Sequence, residues 1–515
     1  MRNVQLIYTA GGETFTRGFS DSCRDEIVSA AVESSDDRLT VRLTVGQPIT
    51  LKSFRLTQDE TFGRNEHFLM NGWQSWTDTF ELSGSDRQHS IARLPRLIRG
   101  GLALAAYGDE AVCPGPYARG VFHGESYALR RDGGAYTLYG SLAEQEAFTV
   151  ICLDTRRNQL SFLRDVEGMT ADGDCTLLDV CICRGTQDQV YDAWFAALGV
   201  KPRGGKPVRG YTSWYRWYQD INREKILASL ETASRAGLDI FQVDDGYEPA
   251  VGDWLDCDGR KFPGGMSEIA RKIHEKGLRA GLWIAPFVCE EKSRLYREHP
   301  DWLLRTADGA PVKAGHNWGG SWALDLRKAG VRDYVAAVIH NALDQWGFDF
   351  LKLDFLYAAA LLPGGGRSRG ALMSGAMKFL RECMGEKEML ACGVPLASAF
   401  GLADYCRIGT DVTLDWDGAW YFRPLHREHA STKLSLMNSI FRQPLDGRAF
   451  GNDPDVFILR GGTDLTKEQQ EVLSLVNHLC GSLVFTSDDG EDYTEETRQL
   501  LAEHEKLGHG RRAGG

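Results

Sequence analysis

The first 185 residues alternate between apolar and polar positions in short runs, for example over Leu39–Val45, Ala147–Leu153 and Cys175–Cys183. A period of two, broken by Gly, Asp and Asn turn residues, is typical of antiparallel strands with one buried face. We therefore predict an antiparallel β-sandwich in this part of the chain. A helix over Gln187–Leu198 and a Pro/Gly-rich linker over Lys201–Gly210 follow it.

Beyond residue 210 a short apolar strand precedes a helix again and again. Three helical patterns, Asn222–Ala236, Ser267–Lys276 and Val331–Trp346, each stop at a glycine, which is the usual signal for a helix end. The pattern predicts a (β/α)₈ TIM barrel in the α/β class, because no glycine-rich dinucleotide fingerprint follows the first strand. The candidate strands are Gly210–Tyr215, Ile240–Asp244, Ala280–Pro286, Phe350–Asp354, Met389–Gly393, Tyr405–Ile408, Asp455–Leu459 and Ser482–Thr486.

These two patterns, alternating strands and then repeated strand–helix units, divide the chain into three parts. Residues 1–200 are predicted to form the β-sandwich with its helical linker, and residues 201–490 to form the barrel. Residues 491–515 are predicted to be the final barrel helix and a tail.

The net charge, the apolar runs and the cysteines indicate what kind of protein this is. A net charge of −12 argues against nucleic acid and anionic membrane as partners. The N-terminus lacks the apolar core of a signal peptide, and no apolar run approaches the roughly 20 residues that span a bilayer. The twelve cysteines are expected to be reduced thiols of a cytoplasmic protein. Cys181 and Cys183 are expected to face opposite sides of a strand and not to bind metal.

Carboxylates stand at the ends of predicted strands, where TIM barrels carry their chemistry. On strand four, Lys352 and Asp354 are two positions apart and share a face. A neighbouring ammonium favours the ionised carboxylate, which suits a nucleophile. A buried structural Lys–Asp pair, or an aspartate that caps the next loop, explains the same pattern and stays open here.

On strand six, Arg407, Gly409 and Asp411 share one face. We expect Arg407 to reach a substrate hydroxyl or Asp354, because contact with Asp411 would lower the pKa of a proton donor. The pKa of Asp411 should then be raised by the negative Asp354 across the pocket. A loop cap or a surface position for Asp411 is the alternative.

Strand two ends in Asp244 and Asp245, and Gly246 lets the chain turn so that both reach the barrel mouth. Paired carboxylates accept hydrogen bonds from neighbouring hydroxyls, whereas a simple turn would leave one of them solvated. A metal site is less well supported, because no histidine or third acid stands at ligand spacing. We therefore expect no metal.

Aromatic residues crowd the same strand ends, among them Trp214 and Tyr215 after strand one and Trp283 in strand three. Aromatic faces stack on the apolar faces of sugars, and ordinary core packing is the alternative. In the β domain, Asn71–Trp76 carries two tryptophans beside a glycine. This segment is either a lid over the barrel mouth or an interdomain contact.

Six barrel motifs occur in a fixed order with barrel-like spacing. They are Trp214-Tyr215, Asp244 to Tyr247, Gly281 to Pro286, Lys352 to Asp354, Cys392-Gly393 and Arg407 to Asp411. Together with Asn71–Trp76 they resemble the bacterial α-galactosidases of glycoside hydrolase family 36, and the resemblance covers nearly the whole chain.

This resemblance implies a role for each motif. Asp354 would be the nucleophile and Asp411 the general acid/base, with Asp244 and Asp245 on the 4-OH and 6-OH of galactose. The other substrate-binding residues that it implies are Lys352, Cys392, Gly393 and Arg407 near the remaining hydroxyls, Trp214, Tyr215 and Trp283 as walls, and Trp73 as a closure from the β domain.

The expected reaction is double displacement with retention on oligosaccharides of the melibiose or raffinose type, without metal or organic cofactor. It requires carboxyl groups about 5–6 Å apart. The family usually adds a C-terminal antiparallel β domain, which we expect to be absent here, and homo-oligomerisation stays open.

Three alternatives remain from the sequence. An α-N-acetylgalactosaminidase or a galactosyl transferase shares this fold, although Cys392-Gly393 favours a plain 2-hydroxyl. An α-glucosidase would differ through Asp244 and Asp245. A sugar-binding protein without catalysis would be favoured if Asp354 or Asp411 were replaced, and neither is.

Overall fold

The computed structural model describes residues 2–513 except 102, 109, 111, 114, 116, 205, 206 and 419–425. The N-terminal part is a 13-stranded antiparallel sheet. Its strands are β1 Arg2–Ala10, β2 Glu13–Phe19, β3 Ser22–Arg24, β4 Val28–Ser34, β5 Arg38–Asp59, β6 His67–Met70, β7 Phe80–Ser83, β8 Val121–Glu125, β9 Tyr127–Asp132, β10 Ala135–Ser141, β11 Thr149–Asp154, β12 Gln159–Arg164 and β13 Thr170–Gly185.

The sheet differs from the predicted sandwich in one respect: all thirteen strands are connected by hydrogen bonds. The long strand β5 is the reason. Its first half pairs with β4 and β13, and its second half pairs with β1 and β12. Alternate residues such as Val4, Leu6, Val41 and Leu43 are buried in one shared core. The alternation therefore predicted the strands and their buried face, but not that one strand would join two ladders.

Cys181 and Cys183 correct a second expectation. They are two positions apart on β13, so they share a face of the strand. Their Sγ atoms lie 3.7 Å apart. The prediction of opposite faces was wrong, because the side-chain period of a strand is two residues.

The second sheet has nine parallel strands, in the order β23-β22-β21-β20-β16-β15-β14-β25-β24. Since the two ends of this order are consecutive pieces of chain, the sheet curls in the manner of a TIM barrel. Its strands are β14 Val208–Thr212, β15 Ile240–Val243, β16 Arg279–Ile284, β20 Phe350–Leu353, β21 Glu388–Ala391, β22 Tyr405–Arg407, β23 Gly451–Asp453, β24 Val456–Phe457 and β25 Leu483–Thr486. A small antiparallel sheet of β17 Val288–Glu290, β18 Lys313–Gly315 and β19 Ser321–Ala323 follows β16.

The seventh predicted strand, Asp455–Leu459, is the one that the structure changes. Only Val456–Phe457 of it forms a strand, β24, which pairs with β25, whereas β23, which pairs with β22, ends before it at Asp453. Between them, Pro454 has no N–H to give to a ladder, and Asp455 has a positive φ of 78°. The break turns the two pieces toward different neighbours.

Helices cover the parallel sheet where the sequence predicted them. Asn222 caps α4 by accepting a hydrogen bond from the Lys225 N–H at 2.9 Å. Gly237 and Gly277, with φ of 65° and 78°, follow α4 and α5. The helices are α1 Arg96–Gly101, α2 Gln187–Leu198, α3 Trp214–Trp217, α4 Arg223–Arg235, α5 Gly265–Glu275, α6 Arg294–Glu298, α7 Ala329–His340 (continued by a π-turn over Asn341–Gln345), α8 Arg369–Met384, α9 Thr432–Arg442, α10 Lys467–Cys480 and α11 Glu495–Ala513.

One hydrophobic core joins the β domain to the curled parallel sheet and its helices. Trp194 on α2 is fully buried, contacts Phe400 at a ring distance of 5.8 Å and donates its indole N–H to the Ser141 carbonyl at 3.1 Å. Arg369 on α8 forms a buried ion pair with Asp165 of the β domain. Within the described ranges, no helix combines the length and the apolar character needed to cross a bilayer.

Candidate active site

A cavity of about 640 Å³ opens at the carboxyl ends of the parallel strands. Its volume lies within the usual range for small-molecule sites. Asp354 and Asp411 both lie on its wall, together with side chains from the barrel loops and from the β domain. The lining residues are Trp76, Leu104, Tyr107, Trp214, Gln219, Asp244, Asp245, Trp283, His316, Asn317, Trp318, Lys352, Asp354, Phe355, Thr410, Asp411, Thr413, Asp415, Gly418, His426, Glu428, His429 and Ala430.

Asp354 follows directly after β20 and is held by donors on both carboxylate oxygens. Trp283 Nε1 donates to Oδ2 at 3.0 Å, and the Phe355 N–H donates to Oδ1 at 2.8 Å. Lys352 Nζ lies 4.0 Å from Oδ2. Lys352 and Asp354 share the cavity face of the strand, as their spacing predicted. The carboxylate is therefore held in one orientation on the cavity wall, with the Lys352 ammonium nearby.

Lys352 contacts two acids. Its Nζ lies 3.1 Å from Asp244 Oδ2, closer than to Asp354. Burial disfavours the ammonium, but the charges of Asp244 and Asp354 outweigh it and raise the pKa of Lys352 above its usual value. Lys352 is therefore a permanent cation between strands two and four.

Asp411 contacts Arg407, which corrects the sequence-based expectation. Arg407 Nη1 lies 2.9 Å from Asp411 Oδ1. The pKa of Asp411 is nevertheless raised: burial in the site has the largest effect, and Asp354 and Asp244 add to it against the opposing charges of Arg407 and Lys352. Although the walls of the site surround it, the Asp411 side chain keeps 47% of its surface exposed to the cavity, so its carboxyl group is accessible to a bound molecule. The expected direction was right, although the expected position of Arg407 was wrong.

Arg407 is almost fully buried and contacts two more acids. Its Nε lies 2.9 Å from Asp453 Oδ2, and its Nη2 lies 2.8 Å from Asp455 Oδ1. Tyr215, predicted as a sugar wall, is buried behind this cluster and donates its hydroxyl to Asp455. Arg407 and Tyr215 therefore lie behind the wall of the cavity.

Asp244 and Asp245 both line the cavity. Strand β15 ends at Val243, and the φ of 116° at Gly246 turns the chain as predicted. Asp244 Oδ2 accepts hydrogen bonds from Gln242 at 2.6 Å and from Lys352 at 3.1 Å. The strand end, rather than a regular strand, brings two successive carboxylates to one site.

Asp245 is oriented by side chains that the sequence did not single out. Its Oδ2 accepts hydrogen bonds from Gln219 Nε2 and from Trp318 Nε1, both at 2.9 Å. Glu248 lies buried behind it, and burial together with the neighbouring charge of Asp245 raises the pKa of Glu248 well above its usual value. Trp318 itself has a positive φ of 57°. No strand periodicity marks these loop residues.

The β domain contributes Trp76 to the cavity, and not Trp73. Trp73 is buried against Phe148 at a ring distance of 5.8 Å. Trp76 packs on Phe355, the residue after Asp354, at a ring distance of 5.1 Å. The β domain therefore contributes Trp76 to the cavity wall, three positions after the Trp73 that was expected there.

Cys392 and Gly393 lie next to the cavity wall. Cys392 is buried, and burial raises the pKa of its thiol well above the usual value. Gly393 has a φ of 55°, and a Cβ added there would lie 3.0 Å from the Trp76 ring. The glycine therefore lets Trp76 approach β21, which is a packing role that its position in the motif did not reveal.

Comparisons with known proteins find α-galactosidases among the proteins that this chain is similar to. A family model described as Melibiase matches residues 204–360. The α-galactosidase AgaA of Geobacillus stearothermophilus is 34% identical over 149 residues, a segment that spans 28% of this chain and only 20% of that enzyme. The α-galactosidase Mel36A of Lactobacillus acidophilus is 32% identical over 149 residues, again 28% of this chain and 20% of the enzyme.

A solved structure matches almost the whole chain. The α-galactosidase TtGalA of Thermus thermophilus, in complex with p-nitrophenyl α-D-galactopyranoside, has a TM-score of 0.75 and 29% identity and covers 95% of both chains. The structure of AgaA has a TM-score of 0.62 at 15% identity, covers 99% of this chain and 75% of the other, and supports the fold alone. The chain is thus similar to α-galactosidases, and it shares its fold with the family 36 enzyme AgaA.

One residue holds the loop that carries Trp76. Arg442, at the end of α9, is fully buried and donates five hydrogen bonds, all to oxygen atoms other than carboxylates. Four of them go to the segment Asn71–Ser75 of the β domain, and one goes to the Ile408 carbonyl at 2.9 Å. Arg442 therefore joins the Trp76 loop to strand six.

Another residue of α9 supports the same loop. Asn438 Oδ1 accepts a hydrogen bond from the Thr79 N–H at 2.8 Å. At the start of α9, the Ser431 N–H donates to the Asp411 carbonyl at 3.0 Å. One helix thus connects the segment that carries Asp411 to the loop that carries Trp76.

Three aromatic residues of the cavity wall were not predicted from the sequence. Tyr107, His316 and His426 meet there, with ring distances of 5.7 Å from Tyr107 to His316 and 6.0 Å from Tyr107 to His426. These residues come from separate loops without a regular period, so no pattern links them. In the described part of the chain, no cluster of His, Cys, Asp and Glu has the arrangement of a metal site.

Proposed function

We propose that this chain is a retaining α-galactosidase that releases terminal α-linked galactose from oligosaccharides of the melibiose or raffinose type. The observation that supports the proposal is that Asp354 and Asp411 line one cavity in different surroundings. Asp354 is fixed by Trp283 and Phe355 as an acceptor, whereas the pKa of Asp411 is raised. One group is suited to attack carbon and the other to give a proton.

The reaction then follows in two steps. Asp354 forms a bond to the anomeric carbon from the β face while the bond to the leaving oxygen breaks, and that oxygen takes the proton of Asp411. Water next attacks the same carbon from the α face and gives a proton to Asp411, and the bond to Asp354 breaks. Two inversions give net retention.

Recognition of galactose would use the acids of strand two. Asp244 and Asp245 offer acceptors to the 4-OH and 6-OH, and Trp318 and Gln219 keep Asp245 in place. Since a site built to bind a hydroxyl discriminates strongly against a substrate that lacks it in that position, these acids are expected to separate galactosides from glucosides.

An oligosaccharide substrate fits the depth of the cavity. Aromatic rings continue from Trp283 beside Asp354 through Trp318 and Phe355 to Trp76, with neighbouring centroids 4.9 to 6.1 Å apart. Such a wall offers stacking surface beyond one sugar. The curled sheet is, in this proposal, a closed (β/α)₈ barrel over residues 201–490, preceded by the β domain over residues 1–200 and followed by a helix and tail over residues 491–515.

Hydrolysis of nitrophenyl glycosides tests the substrate. The α-galactoside should be cleaved much faster than the α-glucoside and the α-N-acetylgalactosaminide, and the first sugar released should be the α-anomer by NMR. An initial β-anomer would exclude retention. Equal rates on galactoside and glucoside would contradict the role of Asp244 and Asp245.

Azide separates the roles of the two carboxyl groups. Asp354→Ala should lower kcat by at least about 1,000-fold, and azide should restore turnover with β-galactosyl azide as product. Asp411→Ala should give α-galactosyl azide instead, because azide then attacks the glycosyl-enzyme. Asp349→Asn is a matched control, since Asp349 precedes the same strand at its other end and pairs with Lys387 at 2.8 Å. Normal activity of Asp354→Ala would end the assignment.

A further inference from the structure

Arg407 is the only cation in direct contact with Asp411 among the described residues, and it contacts two other carboxyl groups at similar distances. The distances are 2.9 Å to Asp411, 2.9 Å to Asp453 and 2.8 Å to Asp455. The side chains of Arg407, Asp453 and Asp455 are at most 3% exposed, so water screens this cluster poorly. Its charges therefore act strongly on each other.

Asp453 and Asp455 are held rigidly by the break in the seventh strand. The Asp455 N–H donates to Asp453 Oδ1 at 2.9 Å, and Asp455 keeps a positive φ of 78° that a non-glycine residue rarely adopts. The Val412 N–H, next to Asp411, donates to Asp455 Oδ2 at 2.9 Å. The turn at Asp455 therefore holds both acids against Arg407, and the Val412 hydrogen bond connects Asp455 to the segment that carries Asp411.

We propose that Asp453 and Asp455 are positioning residues that neutralise Arg407, so that Arg407 orients Asp411 without holding it in its ionised form. The proposal rests on the proposed function, in which Asp411 must carry a proton when the glycosidic bond breaks. A guanidinium 2.9 Å from a carboxylate would by itself favour ionisation and oppose this role. Two further acids on the same guanidinium remove most of that effect.

The surroundings of Asp455 agree with a cluster that retains a proton. Burial, with Asp411 and Asp453 as neighbouring acids, raises the pKa of Asp455 to about 7, despite the opposing charge of Arg407. Three acids on one guanidinium would otherwise carry a net negative charge in a buried place, which is costly. Asp411 and Asp455 therefore titrate as members of one group.

Charged and titratable groups from every neighbouring element act on Asp411. Arg407 lies on its own strand, and Lys352, Asp354 and Asp244 face it from strands four and two. The others are Cys392 after strand five, Tyr215 and Tyr218 after strand one, and Asp455 after β23. Asp453 and Asp455 contact Arg407 without lining the cavity, so a substitution at either acid changes the charge around Arg407 and leaves the cavity wall unchanged.

The pH dependence of kcat/KM tests the proposal, with an α-galactosyl disaccharide as substrate because its leaving oxygen needs the proton. The basic limb reports loss of that proton in the free enzyme. In Asp453→Asn, Arg407 loses one counter-charge and stabilises ionised Asp411, so the basic limb should move down by on the order of one pH unit. Asp455→Asn should move it in the same direction but less, because burial raises the pKa of Asp455 and this acid therefore offers Arg407 less negative charge near neutral pH.

Asp404→Asn is the matched control. Asp404 precedes the same strand, is buried, and pairs with Arg381 at 2.7 Å, away from the cavity. Its pH profile should equal that of the parent, even if the variant is less stable. A nitrophenyl galactoside, whose leaving group needs little protonation, should lose less rate than the disaccharide in Asp453→Asn above pH 7.

The outcomes separate the two proposals. A parent that cleaves no α-galactoside fails the proposed function before any variant is compared. If the parent is active and the basic limb of Asp453→Asn stays in place or moves up, the role of the acids is refuted. Should Asp453→Asn not fold, as judged by circular dichroism, Asp455→Asn decides alone by the same criterion.

Discussion

Replacing Arg442 by methionine tests how the β domain is fixed to the barrel. Two effects oppose each other. Burial lowers the pKa of Arg442 to about 10, so keeping the guanidinium charged in the fold costs on the order of 3 kcal/mol. Against this stand five hydrogen bonds from a charged donor, each contributing roughly 1.5 kcal/mol or more. Methionine would also leave buried carbonyl groups without donors.

The five hydrogen bonds should contribute more free energy than the burial of the charge costs. We expect Arg442→Met to lose about 3–5 kcal/mol in the free energy of unfolding, which is typical of breaking a buried polar network. Arg442→Lys keeps the charge but has only three donors, so it should lose less. Hydrogen exchange should locate the effect in the amides of Gly72 to Thr79, and KM for oligosaccharides should rise because Trp76 is no longer held.

Denaturant unfolding at neutral pH, read separately from β-sheet and tryptophan signals, measures the loss. Arg130→Met is a suitable comparison, since Arg130 pairs with Glu60 and Glu66 within the β domain at 2.7 and 2.8 Å. That variant should lose stability without faster exchange in Gly72 to Thr79. If Arg442→Met is as stable as the parent, the cost of burying the charge equals the gain from its hydrogen bonds, and the reasoning is wrong.

Two further predictions concern the cavity. Trp318→Phe removes one hydrogen-bond donor to the buried Asp245 and should lower kcat/KM by about 10–100-fold. Trp322→Phe loses only an exposed hydrogen bond to Glu291 and should leave kcat/KM unchanged. Equal effects in the two variants would contradict the role of Trp318. Burial lowers the pKa of His426 to about 3, so between that pH and about 6.5 only the unfolded chain takes the proton. The free energy of unfolding should therefore fall by up to about 1.4 kcal/mol per pH unit on acidification. His426→Gln should remove this contribution, as denaturant unfolding at pH 5 and pH 7 would show.

Much of the fold follows from local pattern. The alternation in the N-terminal part predicted strands with one buried face, and the glycines after α4 and α5 predicted where these helices end. Such signals depend on a few neighbouring residues, so they are readable without the fold. The prediction for the seventh strand, Asp455–Leu459, missed β23, because Gly451–Asp453 has no apolar run and Pro454 and Asp455 separate it from β24.

The candidate site was predictable only in part. Lys352 and Asp354 share a strand face, and Gly246 follows two acids, so parity and a turn residue pointed to the cavity. The sequence could not show that Trp76 rather than Trp73 lines the cavity, because the motif forms a loop without a fixed side-chain period. Trp318 and His426 come from long loops, where no local rule connects a residue to the site.

The sequence by itself determined the strand-end carboxylates and the order in which the barrel presents them, since strand polarity puts successive strand ends at one edge. The tertiary structure decided how their charges are balanced. Asp453 and Asp455 reach Arg407 from another strand, and Arg442 reaches Asn71 across 371 positions of the chain. Electrostatic energy depends on separation in space and on burial, and neither quantity is contained in sequence spacing.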